Sequence, residues 1–172
     1  EMARYYDLPV FGTAGAADSK LVDAQVGAEY GGSLLAAALA GTNLIHDVGY
    51  LNSGLAGSLE SIVLGAEQIR WVKRFVDGFE ASDGTLAAEV IEEVGPAGNF
   101  LRHEHTVEVL RKIMWRPYVI DHDDHDTWSA GGGQDYAARA GAYALDILDS
   151  HEPRPLTVDV RRGLKALSRR AG

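Results

Sequence analysis

The chain has 172 residues, carries a formal net charge of −9 and contains no cysteine. Its hydrophobic fraction of 46% and charged fraction of 24% are typical of a globular domain and argue against a disordered tail, a collagen-like chain or a coiled coil. The lack of cysteine excludes disulfides, thiolate metal sites and cysteine nucleophiles. The acidic balance argues against nucleic-acid binding. The uncharged stretch Gly31–Ile45 is too short and too polar to span a membrane.

The first half of the chain alternates short apolar runs with amphipathic segments. The run Leu8–Gly12 predicts a strand, and helical spacing of apolar residues predicts a helix over Asp23–Ala40. Asn43–His46 predicts a second strand, and the glycine-rich stretch Asp47–Gly57 predicts a loop. A further helix is predicted over Ser58–Val76, capped by its serine. This repetition of strand and helix is typical of a parallel sheet or barrel.

The second half is predicted to be helical, so we divide the chain into residues 1–78 and 79–172. Helices are predicted over residues 83–94, 106–114, 124–128 and 134–150, with a last one capped by Thr157. Residues 151–172 hold six basic and two acidic residues, a net charge of +4 that leaves −13 on the rest. We expect this basic tail to lie against the acidic body of its own chain.

Two clusters of histidine and acidic residues raise the question of a metal site. In the acidic segment 121–126, His122 and His125 are three residues apart and would share one helix face, as zinc ligands often do. The alternative is an acidic helix start, which the helix dipole favours. His103 and His105 are two apart and would diverge in a helix, so capping and packing are the favoured interpretation. We expect no bound transition metal.

Polar side chains follow both predicted strands, where parallel α/β folds gather their ligands. His46, Asp47 and Tyr50 follow the second strand, while Asp18 and Lys20 follow the first. Because the ends of parallel strands lie at one edge of a sheet, these five residues are the candidate binding site. We expect the polar atoms of His46 and Asp47 to face a cleft.

Several stretches of the chain, read together, resemble one protein family. They are Ala3–Pro9, Ala17–Lys20, Asp23–Gln25, Ala38–Gly49, Val94–Leu101, His105-Thr106, Trp115 and His151–Pro153. In this order they resemble the C-terminal part of the trimethylamine methyltransferase family over essentially the whole chain. That family includes enzymes that demethylate glycine betaine and related quaternary amines.

The resemblance implies a TIM barrel whose substrate faces a separate corrinoid protein. A methyl group would pass from the amine to Co(I) of that partner, so this chain would bind no corrinoid itself. Residues 1–78 would then be the last βα units of the barrel, and residues 79–172 a helical extension. All residues of the chain are standard, which is similar to the branch of the family without pyrrolysine. We expect a cytoplasmic protein of which this chain, beginning at Glu1, is a fragment.

Methyl transfer from an amine determines the roles that the five candidate site residues would have. A quaternary ammonium can leave without being protonated, so the protein needs positioning more than acid–base catalysis. A methylammonium cation favours aromatic faces and carboxylates, so Tyr50, Asp47 and Asp18 are candidate contacts. The carboxylate of a betaine would favour His46 or Lys20.

Two other functions remain open from the residues themselves. One is a metal-dependent hydrolase that uses the histidine and acidic clusters, and the other is a helical interaction domain without catalysis. Two predicted strands cannot close a barrel, which needs eight. We therefore expect the isolated chain to form a homo-oligomer or to repack as a mostly helical domain, and to lack methyltransferase activity alone.

Overall fold

The computed structural model describes residues 1–169, a helix-rich α/β arrangement. Its helices and strands are, in chain order, α1 (Met2–Tyr5), β1 (Phe11–Thr13), α2 (Ala24–Leu39), β2 (Leu44–His46), β3 (Tyr50–Leu51), β4 (Ala56–Gly57), α3 (Leu59–Asp77), α4 (Asp83–Leu86), α5 (Ala88–Val94), α6 (Glu104–Ile113), α7 (His125–Ala130), α8 (Tyr136–Ser150) and α9 (Val158–Ser168). Short 3₁₀ turns cover Asn52–Gly54 and Phe100–Arg102. No helix within residues 1–169 is long and apolar enough to cross a membrane.

Strands β1 and β2 pair in parallel, with Phe11 opposite Leu44. This confirms the two predicted strands, although the first is displaced from Leu8–Gly12 toward the C-terminus. The displacement has a local cause, because the Leu8 N–H donates to a carbonyl of α1 at 2.8 Å. Pro9 has no N–H to donate, so regular pairing starts only after it. The two small sheets of the described residues are consistent with an α/β fold, and the barrel itself stays a prediction.

The parallel sheet is covered on one face. Side chains alternate along a strand, so Phe11 and Leu44 point to one face while Ile45 points to the other. Ile45 packs against the hydrophobic core with the helices. Phe11 and Leu44 are 63% and 60% exposed, so the opposite face is an open apolar surface.

Helix α2 begins and ends where its sequence predicts. The carboxylate of Asp23 accepts hydrogen bonds from two N–H groups of the first turn and so caps the helix. Val26, Tyr30 and Leu34 recur every four residues and are all buried. Gly41 follows the last turn with a φ of +75°, the left-handed conformation that glycine adopts without steric cost.

Helix α3 is the central helix of the described fold, since both α2 and α8 pack against it. Its start is a capping box, in which Ser58 and Ser61 each bind the other's backbone N–H. Ala140 and Ala144 of α8 are buried and one turn apart, which allows close approach between the helices. Helix α8 thus packs across the predicted boundary at residue 78, and that boundary stays a prediction.

The segment Asp47–Gly57, predicted as a loop, contains more structure. Strands β3 and β4 form a two-residue antiparallel pair, with Tyr50 opposite Gly57, around a 3₁₀ turn. Two-residue strands are too short to show an alternating apolar pattern, which is why the sequence does not predict them.

The helix predicted over residues 83–94 is wrong as one element. It is two helices, α4 and α5, separated by Ala87 in a left-handed conformation with a φ of +52°. The helix predicted from Thr106 begins two residues earlier, because the His103 ring accepts a hydrogen bond from the His105 N–H at 3.2 Å. This capping role is the one favoured from the sequence.

The expectation that His122 and His125 share a helix face is also wrong. Helix α7 begins at His125, and His122 lies before it. The cause is Asp124, whose carboxylate accepts a hydrogen bond from the Thr127 N–H at 2.8 Å and fixes the helix start. The same hydrogen bond lowers the pKa of Asp124 from its ordinary value.

The basic tail does not lie against the acidic body. Every residue from 151 to 169 is exposed, including all of α9, so that expectation is wrong for these residues. Pro153 and Pro155 favour extended conformations, and residues 151–157 form neither helix nor strand. The predicted cap of α9 is confirmed, since the Thr157 hydroxyl accepts from the Val160 N–H. Residues 170–172 of the tail lie outside the described residues.

Candidate active site

The carboxyl ends of β1 and β2 lead into two loops that pair with each other. We call them the first loop (residues 14–22) and the second loop (residues 47–57), and together the paired loops. The Ala14 N–H donates to the His46 carbonyl at 3.3 Å, and the Gly49 N–H donates to the Gly15 carbonyl at 3.0 Å. The parallel pairing of the strands therefore continues past their ends.

Three further backbone hydrogen bonds join the paired loops. The Ala17 N–H donates to the Tyr50 carbonyl at 3.0 Å, and the Ser53 N–H donates to the Ala17 carbonyl at 3.1 Å. The Asn52 N–H donates to the Ser19 carbonyl at 2.8 Å. The two loops thus form one connected surface at the edge where the sequence placed the candidate site.

His46 is held in place on three sides. Its Nδ1 lies 2.8 Å from Asp47 Oδ1, and its Nε2 lies 3.1 Å from Thr13 Oγ1. Its ring stacks on Phe11, with ring centroids 4.2 Å apart and planes 9° from parallel. The side chains of His46 and Asp47 are 38% and 34% exposed, so both reach the surface of the site.

Asp18 and Lys20 form the second group of the site. Asp18 Oδ1 accepts a hydrogen bond from the Ser53 hydroxyl at 2.8 Å, and the Asp18 N–H donates to Glu29 Oε2 at 2.8 Å. Lys20 folds back so that its ammonium donates to the Asp18 carbonyl at 2.9 Å. Tyr50 links this group to His46 and Asp47, since its N–H donates to the Asp47 carbonyl at 3.4 Å and its carbonyl accepts from the Ala17 N–H. The residue is 45% exposed.

A shallow cleft opens beside the second group. Its volume is about 330 Å³, and its lining residues are Ala16, Ala17, Asp18, Glu29, Ser33 and Ser53. Two carboxylates and two hydroxyls line it with no basic residue among them, so the cleft suits a small cation better than an anion. This volume lies at the lower end of ligand-binding pockets.

Four polar residues of the site were missed from the sequence: Thr13, Glu29, Ser33 and Ser53. Glu29 lies in the second turn of α2. The Gln25 side chain, one turn earlier, donates to Glu29 Oε1 at 2.8 Å, and this spacing is the only sequence pattern that could indicate Glu29. Ser53 sits in a turn with no distinguishing motif. Thr13 lies just past the predicted end of the first strand at Gly12, so the sequence does not place its side chain in the strand.

The histidine and acidic clusters do not form a metal site in the part of the chain that the structure describes. Within residues 1–169, no three histidine or acidic side chains are arranged to hold a metal ion. His105 Nε2 instead lies 2.9 Å from the Gly84 carbonyl, and His125 pairs loosely with Asp126 at 3.5 Å. The absence of a bound metal stays a prediction.

Comparison with known proteins decides the family. The family model described as "Trimethylamine methyltransferase (MTTB)" matches residues 1–171, which is nearly the whole chain. The chain belongs to the trimethylamine methyltransferase family. The resemblance that the sequence motifs indicated is therefore confirmed.

Curated relatives with methyltransferase names align with nearly the full length of this chain. Trimethylamine methyltransferase MttB of Desulfitobacterium hafniense (strain DSM 10664 / DCB-2) is 34% identical over 97% of the chain and 34% of its own length. The MttB of Methanosarcina thermophila is 33% identical over 96% of the chain and 34% of its own length. Glycine betaine methyltransferase of Desulfitobacterium hafniense (strain Y51) is 32% identical over 100% of the chain and 36% of its own length. The chain spans about a third of these curated relatives.

Proposed function

We propose that the chain is part of a methyltransferase that moves a methyl group from a methylated amine, most favourably a quaternary one, to Co(I) of a corrinoid protein. The observation that supports this most is the match of nearly the whole chain to relatives named for trimethylamine and for glycine betaine. The site adds support, because carboxylates gather at the carboxyl edge of the parallel strands.

The reaction needs little proton transfer from the protein. The bond between the methyl carbon and the nitrogen breaks, the nitrogen keeps the electron pair, and a neutral tertiary amine leaves. The corrinoid of the partner protein supplies the Co(I) nucleophile that takes the methyl group. The task of this chain is then to bind the cation and to aim one methyl group outward.

Three carboxylates, two on the paired loops and one on α2, are the groups that would bind the cation. Asp18 and Glu29 line the cleft together, and Asp47 exposes part of its side chain at the end of β2. The half-exposed ring of Tyr50 supplies an aromatic face, to which a methylammonium group is attracted. These groups favour a cation by charge and by ring electrostatics without forming a covalent bond.

The two basic candidates differ in their readiness to bind a substrate carboxylate. Both ring nitrogens of His46 already face partners, Thr13 and Asp47, so a carboxylate would have to displace one of them. Lys20 makes one hydrogen bond, to a backbone carbonyl, and an ammonium has three donors. We therefore assign the carboxylate of a betaine to Lys20 and a supporting role to His46.

The cleft is consistent with a methyl acceptor that a partner carries. A volume of about 330 Å³ accommodates a small amine, whereas a corrin macrocycle is far larger. The exposed sides of Tyr50 and Leu55, the latter 84% exposed, leave the paired loops open to an approaching protein. Residues of this chain would thus contact the corrinoid only across a protein interface.

An assay of the complete reading frame tests the proposal. The purified protein is mixed with a corrinoid protein reduced to Co(I), and the visible spectrum of the corrinoid is followed after adding trimethylamine, tetramethylammonium or glycine betaine. We expect methylation with at least one amine and a loss of about tenfold or more in kcat/KM for Asp18→Asn, since a charge is removed from the cation site. The exposed Asp149→Asn, on α8, is the control. No methylation with any of the three amines contradicts the proposal.

A further inference from the structure

The second loop has an unusual backbone. Five of its residues adopt a left-handed conformation, with φ of 72° at Asp47, 96° at Gly49, 50° at Asn52, 56° at Ser53 and 84° at Gly54. Three of these are not glycine, and such conformations persist only where the surroundings fix them. The paired loops therefore need contacts from the neighbouring helices that hold them in this conformation.

Three hydroxyl groups beneath the loops make such contacts. The Tyr30 hydroxyl donates to the Tyr50 carbonyl at 2.9 Å, and the Ser61 hydroxyl donates to the Gly49 carbonyl at 2.7 Å. The Ser33 hydroxyl accepts from the Gly15 N–H at 3.0 Å. Tyr30 and Ser61 are completely buried, so water does not compete for these hydrogen bonds.

One turn of α2 contacts both loops. Glu29 accepts from the Asp18 N–H, Tyr30 donates into the second loop, and Ser33 accepts from the first loop. Each of these side chains binds a backbone group of a loop. The turn thus fixes the first and second loops relative to each other.

We propose that Tyr30, Ser33 and Ser61 are positioning residues, which hold the paired loops in the geometry that places Asp18 and Asp47 for substrate binding. The inference deepens the proposed function and rests on it. The Tyr30 hydroxyl is a donor at neutral pH, and burial raises its pKa further above the ordinary value of 10.0. Ser61 also belongs to the capping box of α3, and Ser33 lines the cleft, which makes Tyr30 the cleanest residue to test.

The test uses Tyr30→Phe, which keeps the buried ring and removes only the hydroxyl. The matched control is Tyr136→Phe, because the Tyr136 hydroxyl is buried without a hydrogen-bond partner among the described residues. Ser33→Ala removes the contact to Gly15 and serves as a second variant if Tyr30→Phe does not fold. Hydrogen exchange of backbone amides and calorimetric binding of tetramethylammonium are measured in each protein expressed from its complete reading frame.

We expect Tyr30→Phe to raise the exchange rates of the Gly49, Asn52 and Ser53 amides about tenfold, the effect of losing one buried hydrogen bond. Amides in the middle of α3 should keep their rates, and the dissociation constant for tetramethylammonium should rise about tenfold as well. Tyr136→Phe should change neither quantity. A purely structural role for Tyr30 would instead raise exchange throughout the protein.

The outcomes separate this inference from the proposed function. Unchanged loop exchange in both Tyr30→Phe and Ser33→Ala overturns the inference, as does an equal rise in every element. Loop exchange that rises while tetramethylammonium binding stays as in the unchanged protein also overturns it. If the unchanged protein methylates the corrinoid protein with none of the three amines, the proposed function fails, and a rise in exchange confined to the loops still supports the holding role of the hydroxyls.

Discussion

At the scale of single residues, Glu67 is a buried side chain held by several hydrogen bonds. It is 2% exposed, and one of its oxygens accepts hydrogen bonds from three consecutive backbone N–H groups, at 2.7 Å, 2.9 Å and 3.3 Å, in residues 118–120. Its other oxygen lies 3.0 Å from a nitrogen of Arg70. A buried carboxylate is tolerated only with such compensation. Glu67 therefore fixes the segment after α6 to helix α3.

Replacing Glu67 by glutamine should lower the free energy of unfolding by about 2–3 kcal/mol. The amide keeps the shape of the side chain but loses the charge that strengthens four hydrogen bonds. Urea denaturation of the purified chain measures the change, and the exposed Glu92→Gln is the control, with an expected change below about 0.5 kcal/mol. Equal effects of the two substitutions would contradict this role of Glu67.

Tyr136 should make the stability depend on alkaline pH. Burial, and then the nearby charge of Glu67, raise the pKa of Tyr136 from its ordinary value of 10.0 to about 12, and Arg139 opposes the shift. Because the pKa of Tyr136 is higher in the folded state than in the unfolded state, its contribution to the free energy of unfolding is fully present below pH 10. That contribution is lost as the pH rises toward 12. Tyr136→Phe should therefore flatten the decline of stability across this range. An unaltered decline, or titration of all tyrosines near pH 10 by ultraviolet absorbance, would contradict the assignment.

At the scale of elements, the packing between α3 and the second loop depends on a missing side chain. A Cβ atom added at Gly65 would lie 2.5 Å from Val48 Cγ1, closer than atoms can approach without movement. A Cβ atom added at Gly32 of α2 would have no neighbouring atom within 4 Å. The two glycines therefore form a matched pair, one that packing requires and one that it does not.

Gly65→Ala should reduce the free energy of unfolding by about 1–3 kcal/mol, because it forces α3 and the second loop apart. Gly32→Ala should raise it by about 0.5–1 kcal/mol, since alanine favours a helix more than glycine does. Thermal unfolding of both variants measures the difference. A stabilised Gly65→Ala protein would show that the second loop does not pack on α3 as described.

The elements that sequence predicts are those with a repeated local pattern. Apolar spacing and capping residues such as Asp23 and Ser58 indicate α2 and α3 because both depend on neighbours within a few positions. The pairing of the loops depends instead on residues about 30 apart, and no local pattern encodes it. Ala87 shows the same limit, since a left-handed alanine between α4 and α5 has no sequence signature. The roles of the five predicted site residues remain predictions, although the structure places them at one edge.

At the scale of the whole molecule, the parallel sheet leaves one apolar face uncovered in the described part of the chain. Phe11 and Leu44 are mostly exposed on this face, and β1 and β2 pair only with each other in the described part. Leaving large apolar side chains in water costs about 1.5–3 kcal/mol each relative to burial. The chain spans only about a third of its curated relatives, so other chain segments are available to cover this face in proteins of the family.

The isolated 172-residue chain should therefore self-associate through this face. Sedimentation should give a mass above the 18.5 kDa of one chain, and Leu44→Lys should shift the distribution toward that value. Val158→Lys, at an exposed position of α9, is the control and should leave the distribution unchanged. A monodisperse species of 18.5 kDa across a range of concentrations would contradict the prediction.

The destination of the methyl group shows most directly whether the protein transfers it from an amine to a corrinoid protein. An amine with isotope-labelled methyl groups is incubated with the protein from the complete reading frame and a Co(I) corrinoid protein, and the label is located by mass spectrometry. We expect label on the corrinoid and release of the amine with one methyl group fewer, in equal amounts. Label released as methanol would point to hydrolysis, and label remaining on the amine would indicate no catalysis. Either result would contradict the proposed transfer of a methyl group to a corrinoid protein.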